Sequence, residues 1–148
     1  MEKINIRTTS RIELVDITDK VNQVVEKNKV KKGVCFLFAP HTTAGLTINE
    51  NADPSVKRDI LNFLNKLVPA HAGYSHAEGN ADSHIKSSLL NPMLTIFIED
   101  GKLSLGSWQG IFFAEGDGPR SREVWVKIIQ DSNTKIQKDI FKGKILIY

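Results

Sequence analysis

The sequence predicts an α+β fold: a mostly antiparallel β-sheet with two to three helices in a single compact domain. Three observations carry this expectation. Short runs with period-2 alternation, or dense in β-branched and aromatic residues, recur along the chain. Only two or three stretches space their apolar residues as a helix does. A hairpin signal, Asp100-Gly101, joins two of the strands directly. A length of 148 residues fits one domain and allows a real core.

Taken in order, residues 3–8 and 11–17 alternate apolar and polar side chains (Ile4, Ile6; Ile12, Leu14) and predict two half-buried strands. Thr18 caps a short helix in which Val21, Val24 and Val25 share a face. The basic connector 27–32 leads into a buried strand over 33–39, Val34-Cys35-Phe36-Leu37-Phe38. Pro40 ends that strand and puts His41 at its end. Residues 46–49 predict another short strand. Asp53-Pro54 is a helix start, a carboxylate N-cap followed by proline at the first helical position. The stripe Val56, Ile60, Phe63, Leu64, Leu67 carries that helix to about Val68, and Pro69 stops it. A loop over 70–82 precedes a short helix over 83–90, closed by Asn91-Pro92. Strands follow over 93–99, 103–105, 106–114 and 122–130, with a turn at 116–119. Beyond Asp131, the apolar residues Ile136, Ile140, Phe141 and 145–148 fit either an added strand or an extension, so the chain divides into a domain over 1–131 and a Lys-rich extension over 132–148.

Composition narrows the function. An apolar content of 41% with 25% charged residues is that of a soluble globular protein. No apolar run is long enough to span a bilayer, and the N-terminal residues lack the apolar stretch of a secretory signal. Cys35, the single cysteine, excludes an internal disulfide and sits in an apolar strand as a core residue. The expected location is the cytoplasm, with no membrane partner. The net charge of +3 is carried entirely by the tail, where Lys135, Lys138, Lys142 and Lys144 face only Asp139. The neutral body gives no field to steer a nucleic acid.

Polar side chains concentrate in three runs. The first is Pro40-His41-Thr42-Thr43-Ala44-Gly45, with Glu50 and Asp53 close behind. The second runs from His76 through Glu78, Asn80 and Asp82 to His84. The third holds Trp108, Gln109, Glu115, Asp117, Arg120 and Arg122. Histidines accompanied by carboxylates suit a divalent metal, with His41, His76 and His84 as ligands, although no standard zinc spacing occurs. Ordinary loop residues or helix caps are the competing reading. Two arginines two residues apart on an extended chain present both forks on one face, a receptor for phosphate or carboxylate. A solvated surface pair is the alternative. Thr42, Thr43 and Asn80 could line the same anion site, and Trp108 with Gln109 could cover a planar ligand or serve the core. Glu50, Asp53 and Asp117 are the candidate catalytic carboxylates.

Together these runs resemble the YjbQ family, formerly an uncharacterised protein family. The resemblance covers about residues 3–131 and rests on 40–53, on 76–90, and on Gly106-Ser107-Trp108-Gln109-Gly110 with Asp117-Gly118-Pro119-Arg120-Ser121-Arg122. It implies a small α+β domain that assembles as a homotrimer, with polar pockets near the subunit contacts. It also implies a thiamine-phosphate synthase-like activity, and marks His41, Glu50, Asp53, His76, Asn80, His84, Glu115, Asp117 and Arg120 as site positions. Two departures are Asn91, where family members usually have glycine, and Gly116, where a bulky apolar residue is common.

The leading expectation is therefore an enzyme, a possible transferase, that uses a His–carboxylate site and a divalent metal (Zn²⁺ or Mg²⁺). Its substrate would be a small phosphorylated or anionic molecule. A metal-dependent hydrolase with Glu50 or Asp117 as base, and a non-catalytic ligand-binding or assembly protein, are the alternatives.

Overall fold

In a computed structural model, which describes residues 1–132, the chain folds into two antiparallel sheets with three helices. The elements are β1 (Glu2–Arg7), β2 (Glu13–Asp16), α1 (Thr18–Asn28), β3 (Gly33–Phe38), β4 (Ala44–Glu50), α2 (Pro54–Leu67), α3 (Ala81–Leu89), β5 (Met93–Glu99), β6 (Lys102–Leu103), β7 (Gln109–Glu115) and β8 (Ser121–Gln130). This is the α+β architecture expected from the pattern. One sheet has the order β1-β8-β3-β5-β6 and the other β2-β7-β4.

Alternation decides which face of each strand enters the core. Ile4 and Ile6 of β1, Cys35 and Leu37 of β3, Ile96 and Ile98 of β5, and Val124 and Val126 of β8 all point inward. They meet Leu46, Ile111 and Phe113 from the smaller sheet, with Val21 and Val25 of α1 filling the side. β7 is buried on both faces, which explains its unbroken apolar run. Its Phe112 and Ala114 form a second apolar cluster with Leu14, covered by Ile60 and Leu61 of α2 and by Leu90. The layers thus run α2, small sheet, core, large sheet, with α1 closing one side of the core. Among the described residues no helix is long and apolar enough to cross a membrane.

Local chemistry explains where the element boundaries depart from the pattern. β2 starts at Glu13 rather than at residue 11, because the Glu13 carboxylate accepts the Thr9 and Ser10 amides at 2.8 and 3.2 Å and curls the chain there. Thr18 is the first helical residue, not the cap. Its hydroxyl donates to Asp16 at 2.6 Å and accepts the Ile111 amide at 2.9 Å. β7 begins at Gln109 rather than at residue 106, since residues 106–109 close a turn through Gly106 N–H to Gln109 Oε1 (2.8 Å) and Gln109 N–H to Gly106 O (2.9 Å). β6 covers Lys102–Leu103 rather than 103–105, and α3 starts two residues early, at Ala81. The start of α2 is as expected, with Asp53 accepting the Ser55 amide at 2.7 Å and Pro54 leading the helix. Asp100 and Gly101 both take positive φ, as the tight β5–β6 hairpin requires. The tail readings lie outside the described residues.

Candidate functional site

The polar runs fold to two ends of the smaller sheet. At the first end, β4 starts beside the end of β7, with Ala44 opposite Glu115. Glu115 is 2% exposed, and its carboxylate is surrounded by donors. Arg122 delivers Nε at 2.7 Å and Nη2 at 2.6 Å. The Thr8 hydroxyl donates at 3.0 Å, and the Gly116 and Asp117 amides at 3.0 and 2.9 Å. Burial pushes this carboxyl up, but Arg122, the Asp117 amide and Thr8 outweigh it and hold the group below the usual glutamate range. Arg122 also donates to the Thr43 hydroxyl at 2.9 Å. Its fork is therefore turned inward.

Arg120 behaves differently. It precedes β8 and folds back on the turn, with Nη2 2.7 Å from Asp117 Oδ2 and Nε donating to the Asp117 carbonyl at 2.8 Å. Half of its side chain remains exposed. Asp117 Oδ2 also accepts from Asn80 Nδ2 at 3.0 Å, so Asn80, Asp117 and Arg120 form one chain of polar contacts. Burial raises the Asp117 carboxyl, and Asn80 and Arg120 more than compensate, leaving it below the usual range. Asn80 Oδ1 is buried and has no partner among the described residues.

Asn80 stands at the start of α3, and the same helix places three further groups. Asp82 is fully buried between Arg11 (Nη1 3.1 Å, Nη2 2.8 Å) and Lys86 (Nζ 2.8 Å). Burial opposes its charge, yet Arg11 and Lys86 bring its carboxyl down to about 2. Ser83 donates its hydroxyl to the Gly116 carbonyl and ties α3 to the turn. His84 meets His76 edge to face, with ring centroids 5.3 Å apart, and His76 Nε2 is 3.6 Å from Glu78 Oε2.

Two clefts flank the Asn80–Asp117–Arg120 chain. One, of about 240 Å³, is lined by His71, Gly73, Tyr74, His76, Gly79 and neighbouring alanines. The other, of about 290 Å³, is bounded by Arg7, Thr8, Pro119, Arg120 and Ser121. Arg7, Arg11, Tyr74 and Lys86 were not singled out from the sequence. The run Arg7-Thr8-Thr9-Ser10-Arg11, basic and hydroxyl-rich directly after a strand, was the available signal.

His41 flanks the Glu115–Arg122 pair but is engaged by main chain. It sits between β3 and β4, and its Nε2 faces the Glu123 main chain, 3.0 Å from the carbonyl and 3.1 Å from the amide nitrogen. Burial lowers its pKa and favours the neutral ring. The ring also packs edge-on against Phe113. Thr42 contributes its carbonyl to the Ser87 hydroxyl at 2.8 Å. Among the described residues, no three His, Cys, Asp or Glu side chains are grouped so as to hold a metal ion. One protomer offers the His76–His84 pair with Glu78 nearby, which falls short of a complete zinc shell.

Glu50, Asp53, Trp108 and Gln109 gather at the opposite end. Glu50 pairs with Gln109 six residues along from the Ala44–Glu115 pair, about 20 Å away at the strand rise. Asp53 is occupied as a helix cap. Trp108 is 68% exposed, and its carbonyl accepts the Asn51 amide at 2.7 Å.

A small two-sheet α+β domain with a charged network at one end of its minor sheet is the class that fold and site define. The family described as UPF0047 protein YjbQ-like matches residues 2–131, and the chain belongs to it. A UPF0047 protein of Methanocaldococcus jannaschii is 59% identical over 129 residues, covering 87% of this chain and 94% of its own. UPF0047 protein YugU of Bacillus subtilis is 42% identical over 130 residues, covering 87% and 98%. The crystal structure of a YjbQ/UPF0047 family protein from Clostridium acetobutylicum aligns with a TM-score of 0.85 at 50% identity, covering 87% of this chain and 100% of that one.

Proposed function

We propose that this protein is a cytoplasmic enzyme acting on a small phosphorylated substrate at the His76–Arg120 end, and that it works as a homotrimer. The observation that carries the reading is the Asn80–Asp117–Arg120 chain, which lies between a cleft lined by His71 and His76 and a cleft holding Arg7 and Arg120. Arg7 and Arg120 bind the anion, since Arg122 is already committed to Glu115. Asp117 aims Arg120, and Asn80 aims Asp117. The unpartnered Asn80 Oδ1 is an acceptor for a substrate N–H or O–H.

The reaction proposed is that of a thiamine-phosphate synthase. The C–O bond of a pyrimidine pyrophosphate breaks, pyrophosphate leaves with the electron pair, and a thiazole-phosphate nitrogen forms the new C–N bond. The arginines neutralise the departing charge. His76 and His84 are proposed as two nitrogen ligands of a divalent metal, whose remaining ligands come from outside the protomer. Imidazole donors favour zinc over magnesium. Trimer formation is the means proposed to bring Trp108, Gln109 and Glu50 towards this end of a neighbouring subunit. The support is α2, an amphipathic helix with no fully buried residue and with Phe63 and Leu67 exposed.

The test supplies both substrates to the purified protein. Arg120→Ala should lower kcat/KM by about 10²-fold with circular dichroism unchanged. His76→Ala should lose bound metal by elemental analysis as well as turnover. Equal turnover in the parent and both variants would overturn the reading.

A further inference from the structure

Thr8 follows the last residue of β1 and is 2% exposed, a buried threonine at the edge of the cleft that holds Arg7 and Arg120. The β1–β8 ladder ends with Arg7 opposite Ser121, and one further step of the same register sets Thr8 against Arg120. An antiparallel pair at a hydrogen-bonded position exchanges two main-chain bonds. Here main chain supplies both ends of only one of them, the Thr8 amide donating to the Arg120 carbonyl at 3.0 Å. The returning Arg120 amide donates instead to the Thr8 hydroxyl, at 2.8 Å.

That hydroxyl has one proton of its own to give. Its oxygen is 3.0 Å from Glu115 Oε2 and 3.2 Å from the Arg120 carbonyl. Glu115 is ion-paired with Arg122, and a charged acceptor makes the stronger bond, so the proton goes to Glu115. Thr8 is thus a bridge from the buried Glu115–Arg122 pair to the main chain of Arg120. The Arg120 guanidinium is bonded only to Asp117 among the described residues, which orients it on its own turn. Thr8 sets where that turn stands relative to Arg7, its neighbour in the chain. One more bond, from the Gly118 amide to the Arg11 carbonyl at 2.9 Å, ties the turn to the residues after Thr8.

We propose that Thr8 is a positioning residue of the anion site: its hydroxyl, braced by Glu115, holds the Arg120 main chain so that Arg7 and Arg120 engage one phosphate or pyrophosphate anion across the cleft. The inference rests on the anion site proposed above and adds a residue that acts through Arg120. Without the hydroxyl, the Arg120 amide closes the ladder on the carbonyl of residue 8, and Glu115 keeps Arg122 and two amides. The fold then survives while the arginine moves.

The experiment titrates inorganic pyrophosphate into the full chain by isothermal calorimetry, well below the Tm of each variant. Thr8→Val, nearly the same shape, should weaken binding about tenfold, and Thr8→Ser, which restores the hydroxyl, should stay within about twofold of the parent. A threonine with a structural role alone would lower Tm in Thr8→Val and leave the dissociation constant of the folded protein unchanged. That result overturns the inference, as does Thr8→Ser binding as weakly as Thr8→Val. Thr8→Ala repeats the measurement with less bulk where the valine variant does not fold, and failure of both to fold also overturns it. Arg120→Ala separates this inference from the reading beneath it and should lose most of the binding. No binding in the parent, or parent-like binding in Arg120→Ala, overturns the anion site and the inference together. Loss in Arg120→Ala with parent-like binding in Thr8→Val overturns the inference alone.

Discussion

Arg120 and Arg122 have the same chemistry and nearly the same position, yet their surroundings give them opposite consequences. Removing Arg122 strands the Glu115 carboxylate in the interior without its main partner, a loss of about 3–5 kcal/mol. Removing Arg120 breaks a pair that is half in solvent, where screening leaves little stability to lose. Arg122→Ala is therefore expected to lower Tm by on the order of 10 °C, and Arg120→Ala to leave it nearly unchanged, by differential scanning calorimetry. Asp82 sets the acid limit. Its folded pKa of about 2 lies below the ordinary aspartate value, so its stabilisation is complete above pH ~4 and is lost as pH falls towards 2. That amounts to roughly 2 kcal/mol. Asp82→Asn should be less stable at neutral pH and lose less on acidification from pH 4 to pH 2. The types of residue at this end were legible in the sequence. Their pairings were not, because Arg11 and Asp82 are brought together only by folding.

The turn between β7 and β8 shows how an element constrains a site. Gly116 leaves no room for a side chain, since an added Cβ would lie 2.7 Å from the Thr43 carbonyl and 3.3 Å from Ser83. A bulky apolar residue cannot fit this backbone without movement of the turn. Gly116→Leu is expected to destabilise the fold by about 1–3 kcal/mol in urea titrations and to weaken substrate binding through displaced Asp117. One helix start, Asp53-Pro54, was readable from local chemistry, whereas Thr18 proved to lie inside α1 and α3 began two residues early. Strand starts were less so, because a side chain such as Glu13 can curl the preceding residues out of an alternating pattern.

At the scale of the molecule, alternation told which side chains face inward but not that the strands divide between two sheets. That division fixes where the polar runs land, and it separates Trp108 and Glu50 from Arg120 by the length of a strand. Nor could the pattern reveal that the His41 ring nitrogen would be engaged by the Glu123 main chain. The exposed apolar side chains of α2 make the proposed homotrimer testable: if it forms through this helix, Phe63→Glu with Leu67→Glu should reduce the particle mass to that of a monomer by light scattering, with the far-ultraviolet spectrum retained.

The strand orders also dictate when the protein can fold. β8 lies between β1 and β3, and β7 lies between β2 and β4. Both central strands come from residues 109–130, so a nascent chain that has emerged only as far as residue 108 can pair β3, β5 and β6 and little else. β1, β2 and β4 must wait with their edges open. Long-range closure of this kind slows folding and lengthens exposure to aggregation. The chain therefore completes its structure after most of it has left the ribosome, and the interval before β7 and β8 arrive is when a chaperone has the most to hold.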